Sequence, residues 1–198
     1  MHSFLSHLEC TACHETYDAA EAHTTCPACS KVLYARYDLD ACRDAFSRDD
    51  LRGRSGGMWR WHELMPVLDP ENVVSLGEGH TPLLHAREVG SKHGASHLYI
   101  KEEGLNPTGS FKARGLSAAV SKAKELGLSD LAIPSAGNAA SALSAYGARA
   151  GMNVHVYMPV DTPDMMIDDV PENAMPPRRP GEPVAPVHQV PRTDPPVH

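Results

Sequence analysis

The sequence predicts an α/β protein led by a small cysteine-rich ribbon, and three observations predict it. Two Cys-x2-Cys pairs, Cys10/Cys13 and Cys26/Cys29, flank twelve residues near the N-terminus. From about residue 75, short apolar runs of strand length alternate with helix-length amphipathic runs, the pattern that builds parallel sheets. From about Asp169 that pattern stops, and nine prolines crowd the remaining residues. The expected organisation is a ribbon over 1–40, a linker and helical segment over 41–74, an α/β portion over 75–168 and a proline-rich tail over 169–198.

In the ribbon, each cysteine pair is close enough for both thiolates to reach one ion, and tetrahedral zinc takes four such ligands. Cys10, Cys13, Cys26 and Cys29 are therefore the candidate metal ligands. Two disulfides or a redox pair are the alternatives, disfavoured by the shared spacing and by the reducing compartment expected for this chain. Four cysteines close the coordination sphere, which makes the zinc structural rather than catalytic. A ribbon this small has little core, so zinc binding would supply much of its stability.

Ribbons of this kind also bind nucleic acids or proteins. Residues 1–53 carry five basic side chains against nine acidic ones, and the whole chain has a net charge of -7. That balance lacks the basic footprint of a nucleic-acid binder and leaves a protein partner open. Cys42 has no nearby partner and reads as a free thiol, while Trp59 and Trp61 read as packing residues. The N-terminus lacks the features of a secretory signal, and no run approaches a membrane span. A cytoplasmic protein with a small-molecule substrate, and no nucleic-acid or membrane partner, is expected.

Within the α/β portion, His97–Lys101 reads as a short strand. A Gly/Asn/Pro loop leads into a helix over 111–126, with Ser110 as N-cap and Gly127 just past the end. Leu116, Ala119, Val120, Ala123 and Leu126 recur at helical spacing and predict its buried face. Leu131–Ser135 reads as a buried strand and Ala136–Asn138 as a turn, with Asn138 the expected N-cap. A helix over 139–150 closes at Gly151, and Val154–Pro159 is the second strand of a βαβ unit.

The loop before the first helix, Asn106–Gly115 or "NPTGSFKARG", poses a chemical question. It puts Lys112 in a first helical turn, where a cation is disfavoured by about 0.3–1 kcal/mol. A phosphate-cradling P-loop is excluded, because Gly104 and Gly109 have the spacing but Ser110 and Phe111 follow where Lys-Ser/Thr is required. A solvated lysine and a salt bridge to Glu102 or Glu103 are the plain structural readings. The chemical reading is a Schiff-base lysine: helix-dipole charge and desolvation both favour the neutral amine that attacks an aldehyde. The turn "SAGN", Ser135–Asn138, would present outward N–H groups suited to a carboxylate.

The segments "SLGEGHTPLL", "KEEGLNPTGSFKARG" and "IPSAGNAASALSAYGARAG" resemble the threonine synthase family, within the fold-type-II pyridoxal-phosphate enzymes, whose fold is that of the tryptophan synthase β subunit. The ribbon resembles the one carried by some bacterial and archaeal members, and the resemblance runs from about residue 5 to 168. It implies that Lys112 carries the pyridoxal 5'-phosphate and shuttles protons, and that Asn138 bonds the cofactor's 3'-hydroxyl. It further implies that Ser135, Gly137 and Ala139 offer groups to the substrate carboxylate and that Thr81 lines the substrate side. The implied reaction is a lyase-type conversion of O-phosphohomoserine and water to threonine and phosphate. The resemblance leaves three readings to compare: this reaction, another fold-type-II activity such as threonine or serine dehydration or cysteine synthesis, and a ribbon-based protein-binding module.

The sequence departs from the family pattern at Ala136, where many members carry a second hydroxyl, and at His14 and Ser30, where the knuckles more often have glycine. The family's glycine-rich phosphate loop and the residue facing the pyridine nitrogen come from a second half not found in these residues. A frameshift or truncation near Asp168 is the expected cause, with a disordered tail after it. Exposed sheet edges and apolar faces would then cost about 25 cal/mol per Å2 left in water, and weak or absent activity in isolation is expected. A homo-oligomer is the assembly open to a full-length form.

Overall fold

The computed structural model describes residues 3–159, Thr162 and the backbone of 188–190. The ribbon is a three-stranded antiparallel sheet of β1 (Leu5–Cys10), β2 (Thr16–Tyr17) and β3 (Leu33–Tyr37), in the order β2-β1-β3. Asp38 follows it, and its carboxylate accepts from the Ala41 backbone N–H (2.9 Å) to cap α1 (Leu39–Ala45). Cys42 is the buried residue of that helix and is unpaired. Short 3-10 turns at Asp49–Leu51, Met58–Leu64 and Pro70–Asn72 carry the chain towards the second part.

There, β4 (Leu83–His85) and β5 (Tyr99–Lys101) form an antiparallel pair around α2 (Arg87–Lys92). Every residue of both strands is exposed. The βαβ unit follows as β6 (Asp130–Pro134), α4 (Asn138–Ala150) and β7 (Asn153–Pro159), with β6 and β7 parallel and α3 (Lys112–Glu125) packed against α4. The core joins Ala113 and Val120 of α3, Leu143 and Tyr146 of α4, and Val154, Val156 and Met158 of β7. Gly147 lets α4 approach β7 closely, since a Cβ there would lie 2.3 Å from Val154 Cγ2. Among the described residues, no helix is long and apolar enough to cross a membrane.

Several local expectations need correction. The β6 strand is not buried: its residues alternate exposed and half-buried, because it is an edge strand that pairs, among the described residues, with β7 alone. The buried face of α3 is Ala113, Ser117, Val120, Ser121 and Ala123, while Ala119 is exposed. Two serines belong to the core face because the hydroxyl of Ser117 donates to the Glu78 carboxylate (2.6 Å) and that of Ser121 receives the Val74 N–H (2.8 Å). Apolar periodicity finds Val120, Ala123 and Leu116, which packs against the core, but misplaces Ala119 and misses Ala113 and the two serines.

The helix starts also shift by one residue. Phe111 is the cap of α3, with the Lys112 N–H still donating to Ser110 Oγ at 3.3 Å, and Gly137 is the cap of α4, with no side-chain cap bond. The helix ends follow their glycines. Gly127 (φ +71°) donates to the Lys124 carbonyl and Leu128 to that of Ala123, the pairing that a left-handed glycine closes.

Of the proline-rich segment, His188–Val190 is described as a strand, β8, parallel to β7. It lies in the four-residue run between Pro186 and Pro191, where each residue keeps a backbone donor for a sheet ladder. The other residues of that segment, and with them the expectation of disorder, lie outside the described residues.

Candidate functional site

The four ribbon cysteines come together. Cys10 closes β1, and Cys26 holds the second knuckle by donating its N–H to the Lys31 carbonyl (2.8 Å) and accepting from the Ser30 N–H (2.8 Å). The sulfurs lie 3.4 Å (Cys10–Cys29), 3.6 Å (Cys13–Cys26) and 3.5 Å (Cys13–Cys29) apart, with all four thiols free. A zinc–sulfur bond of about 2.3 Å in a tetrahedron sets sulfurs about 3.8 Å apart, so the cluster fits one such ion with small adjustment. Four sulfurs so close cannot all ionise unaided. Backbone N–H groups, that of Cys13 first, lower the Cys10 thiol, and the Tyr17 hydroxyl first of all lowers Cys26 to about 6. Against the favourable Glu15 N–H, the Cys10 sulfur pushes Cys13 up to about 12; against the Lys31 N–H, it raises Cys29 as well. A dication among them removes that conflict. His14 (φ 63°) and Ser30 (φ 58°), the residues standing where glycine is usual, do adopt the left-handed conformation.

Lys112 opens α3 half-buried, with Nζ 4.9 Å from the centre of the Phe111 ring. No carboxylate pairs with its ammonium among the described residues. The salt-bridge reading fails for a visible reason. Glu103 receives both Arg114 Nε and Nη2 (2.7 Å each), Asn106 Nδ2 (3.0 Å) and the Thr81 hydroxyl (3.2 Å). Glu102 is engaged by the Gly104 N–H at 2.9 Å. Arg114 first, then the other donors, hold the Glu103 carboxyl down to about 2. The same cluster fixes the loop carrying Thr81. Asn106 Oδ1 accepts from the Gly79 N–H (3.0 Å), and the Lys101 ammonium donates to the Thr81 carbonyl. Gly79 (φ +87°) is needed there, because a Cβ would meet Met58 N at 2.7 Å and Arg114 Nη1 at 2.9 Å.

Ser135, Gly137, Asn138 and Ala139 share the turn between β6 and α4. The Ser135 N–H is used by the Tyr157 carbonyl (3.0 Å), whereas the Asn138 and Ala139 N–H groups have no partner among the described residues. Asn138 is exposed, and Ser135, Gly137 and Ala139 are half-buried. No hydrogen bond joins Lys112 to this turn among the described residues; the two helices that start there pack side by side.

Sequence reasoning missed Glu78. It is 1% exposed, and its carboxylate receives Trp59 Nε1 (2.8 Å), Ser117 Oγ (2.6 Å), Tyr146 Oη (2.7 Å), Ser75 Oγ (3.1 Å) and the Leu76 N–H (3.0 Å). Burial pushes its carboxyl up, but these bonds win and hold it below the ordinary range. Trp59 is thus a donor as well as a packing residue. Glu78 ties α3 to α4 and both to the segment before them. In a glycine-rich stretch with no periodicity, nothing in the sequence marks it as buried.

An amine with no carboxylate partner and N–H groups with no partner at a helix start, both among the described residues, suit a ligand that carries an aldehyde and an acid. The buried Thr108 Oγ1, four residues before Lys112, has no partner among the described residues and adds an unmet polar group on the same loop. These residues fit the aldehyde and polar groups of pyridoxal phosphate.

Residues 74–193 match the family described as pyridoxal-phosphate dependent enzyme. The chain is 42% identical over 150 residues to a threonine synthase of Methanocaldococcus jannaschii, covering 76% of this chain and 37% of the relative. It is 39% identical over 153 residues to a threonine synthase of Methanosarcina acetivorans, covering 77% and 37%. The processed form of threonine deaminase isoform 2 from Solanum lycopersicum is 32% identical over 46% of this chain and 25% of that one, with a TM-score of 0.42. The chain spans just over a third of the length of the two threonine synthases.

Proposed function

The chain belongs to the pyridoxal-phosphate dependent enzymes, and from that premise we propose that it serves threonine synthesis, the conversion of O-phosphohomoserine and water to threonine and phosphate. The similarity to threonine synthases supports the choice of reaction. The observation that carries the site is the unpaired Lys112 amine, left free because Arg114, Asn106 and Thr81 occupy Glu103.

Bound to this site, the cofactor supplies an electron-withdrawing ring that spreads the negative charge developing on the substrate carbons. The residues of the chain do the rest. Lys112 would hold the cofactor through its amine and would move protons at the substrate carbons as the acid and base. The Asn138 and Ala139 N–H groups, at the positive end of α4, receive the substrate carboxylate, with Ser135 and Gly137 shaping the turn. The Asn138 side chain would hold the cofactor hydroxyl. Thr81 spends its single hydroxyl proton on Glu103 and so meets a ligand as a hydrogen-bond acceptor. The four ribbon sulfurs hold a structural zinc.

The test is reductive trapping. The purified chain is mixed with pyridoxal phosphate, reduced with borohydride and mapped by mass spectrometry. The adduct belongs on Lys112 and disappears in Lys112→Ala; an adduct spread over other lysines, or unchanged in that variant, sinks the assignment. Assays with O-phosphohomoserine against threonine and serine then separate threonine synthesis from dehydration.

A further inference from the structure

The two cysteine knuckles are not equivalent. In the first knuckle the Ala12 N–H donates to the Cys10 sulfur at 3.4 Å. The second knuckle has a side-chain donor instead: the Tyr17 hydroxyl lies 3.2 Å from Cys26 Sγ. Its position is set by the fold. Tyr17 pairs with Leu8 across β1 and β2, and its ring tilts against that of His23 at 5.2 Å between centroids. A metal-bound cysteine is a thiolate with no proton to give. The phenol must then be the donor in this contact.

We propose that Tyr17 is a positioning residue of the metal centre, donating an O–H···S bond that draws charge off the Cys26 thiolate and retains the ion. This rests on the reading that the four sulfurs bind zinc. Four thiolates around one dication leave two excess negative charges, and donors to the sulfurs are what make that charge tolerable in a partly buried site. Cys26 is buried whereas Cys13 is exposed to water, so Cys26 has the greater need of a protein donor. The hydroxyl lies on β2, outside both knuckles, and so couples metal retention to the β1–β2 pairing.

The experiment uses the whole chain with Tyr17→Phe and, as a packing control, Leu8→Ala. Zinc affinity is read by competition with a coloured chelator, and cobalt is substituted for its spectrum. Tyr17→Phe is expected to weaken zinc binding about 10-fold and to move the sulfur-to-cobalt charge-transfer band to lower energy, with the tetrahedral bands kept. Leu8→Ala should leave that band in place, which separates a bond to sulfur from loose packing. If Tyr17→Phe does not assemble, the wild type gives a second reading: loaded with cadmium-113, its Tyr17 hydroxyl proton should exchange slowly with water and couple to the metal. An unmoved charge-transfer band, or a freely exchanging hydroxyl in the loaded wild type, overturns the role of Tyr17 alone. A wild type that binds neither cobalt nor zinc overturns the metal reading and this role with it.

Discussion

Ser30 holds a left-handed backbone conformation at the exit of the second knuckle while its N–H bonds the Cys26 carbonyl. A side chain in that region costs about 1–2 kcal/mol, part of which a glycine returns through its greater freedom when unfolded. Ser30→Gly is therefore expected to stabilise the zinc-loaded chain by about 0.5–1 kcal/mol, read as a higher thermal midpoint; a lower midpoint would show that the hydroxyl matters more than the strain. His14 is a poorer test, since its ring also bonds Glu9 at 3.0 Å. Glu78 offers the opposite case. An amide in its place must turn its NH2 either towards Trp59 Nε1 or towards the Leu76 N–H, and neither can accept a hydrogen bond. Glu78→Gln is thus expected to cost about 2–4 kcal/mol despite its matching shape, since it leaves buried donors opposed. Chemical denaturation with a variant as stable as the parent would contradict that account.

At the scale of elements, the first turn of α3 is held by the Glu103–Arg114 pair, whose side chains are 27% and 32% exposed. The carboxyl titrates at about 2 when folded, against an ordinary value near 4.3. A depressed carboxyl stabilises the fold fully above its unfolded value, and that contribution is lost as pH falls through the folded one. Discounted for solvent, Glu103→Gln should cost about 1–2 kcal/mol near neutral pH. The gap between parent and variant should then close between about pH 4.3 and pH 2; a gap that stays constant over that window would mean the pair is not the cause. These elements were legible in the sequence to unequal degrees. The strand–helix–strand order around α4 follows from periodicity and from Gly127 and Gly151, which close their helices as left-handed residues. The caps slipped by one residue because Ser110 and Asn138 look like caps whether or not their side chains make the bond. The polar face of α3 was not legible, since Ser117 and Ser121 are drawn inward by Val74 and Glu78, some forty residues away in sequence. Lys112 was legible as an oddity, but the cluster that keeps it unpaired was not, for Thr81, Glu103 and Arg114 meet only in the folded chain.

Across the whole molecule, the ribbon and the α/β portion are held together by different means, and removing metal should expose the difference. Residues 3–37 bury only Ser3, Cys10, Ala19 and Cys26, with Val32 and Tyr34 exposed, so the sulfurs are most of the ribbon's interior. The α3–α4–β7 core, by contrast, is apolar and contains none of the cysteines. Binding of a structural zinc yields on the order of 10–16 kcal/mol, far more than so small an apolar interior provides. Joints from the ribbon to the segment before the α/β portion include Ser3 Oγ donating to the Met65 carbonyl (2.5 Å) and Phe4 N–H to that of Glu63 (2.9 Å), while Arg54 clamps Glu63 within that segment (2.7 Å). Stripping zinc with a chelator at neutral pH should therefore melt β1 to β3 without melting α4. Hydrogen exchange would show amides of Cys10, Cys26 and Ser30 losing protection while those of Ala142 to Tyr146 keep theirs. Loss of protection in both sets at once would mean that the Glu63 joint couples the two parts into one cooperative unit, and the ribbon would then be a support for the core rather than a separate module. Retained protection in both sets would mean that the backbone pairing of β1 and β3 suffices without metal.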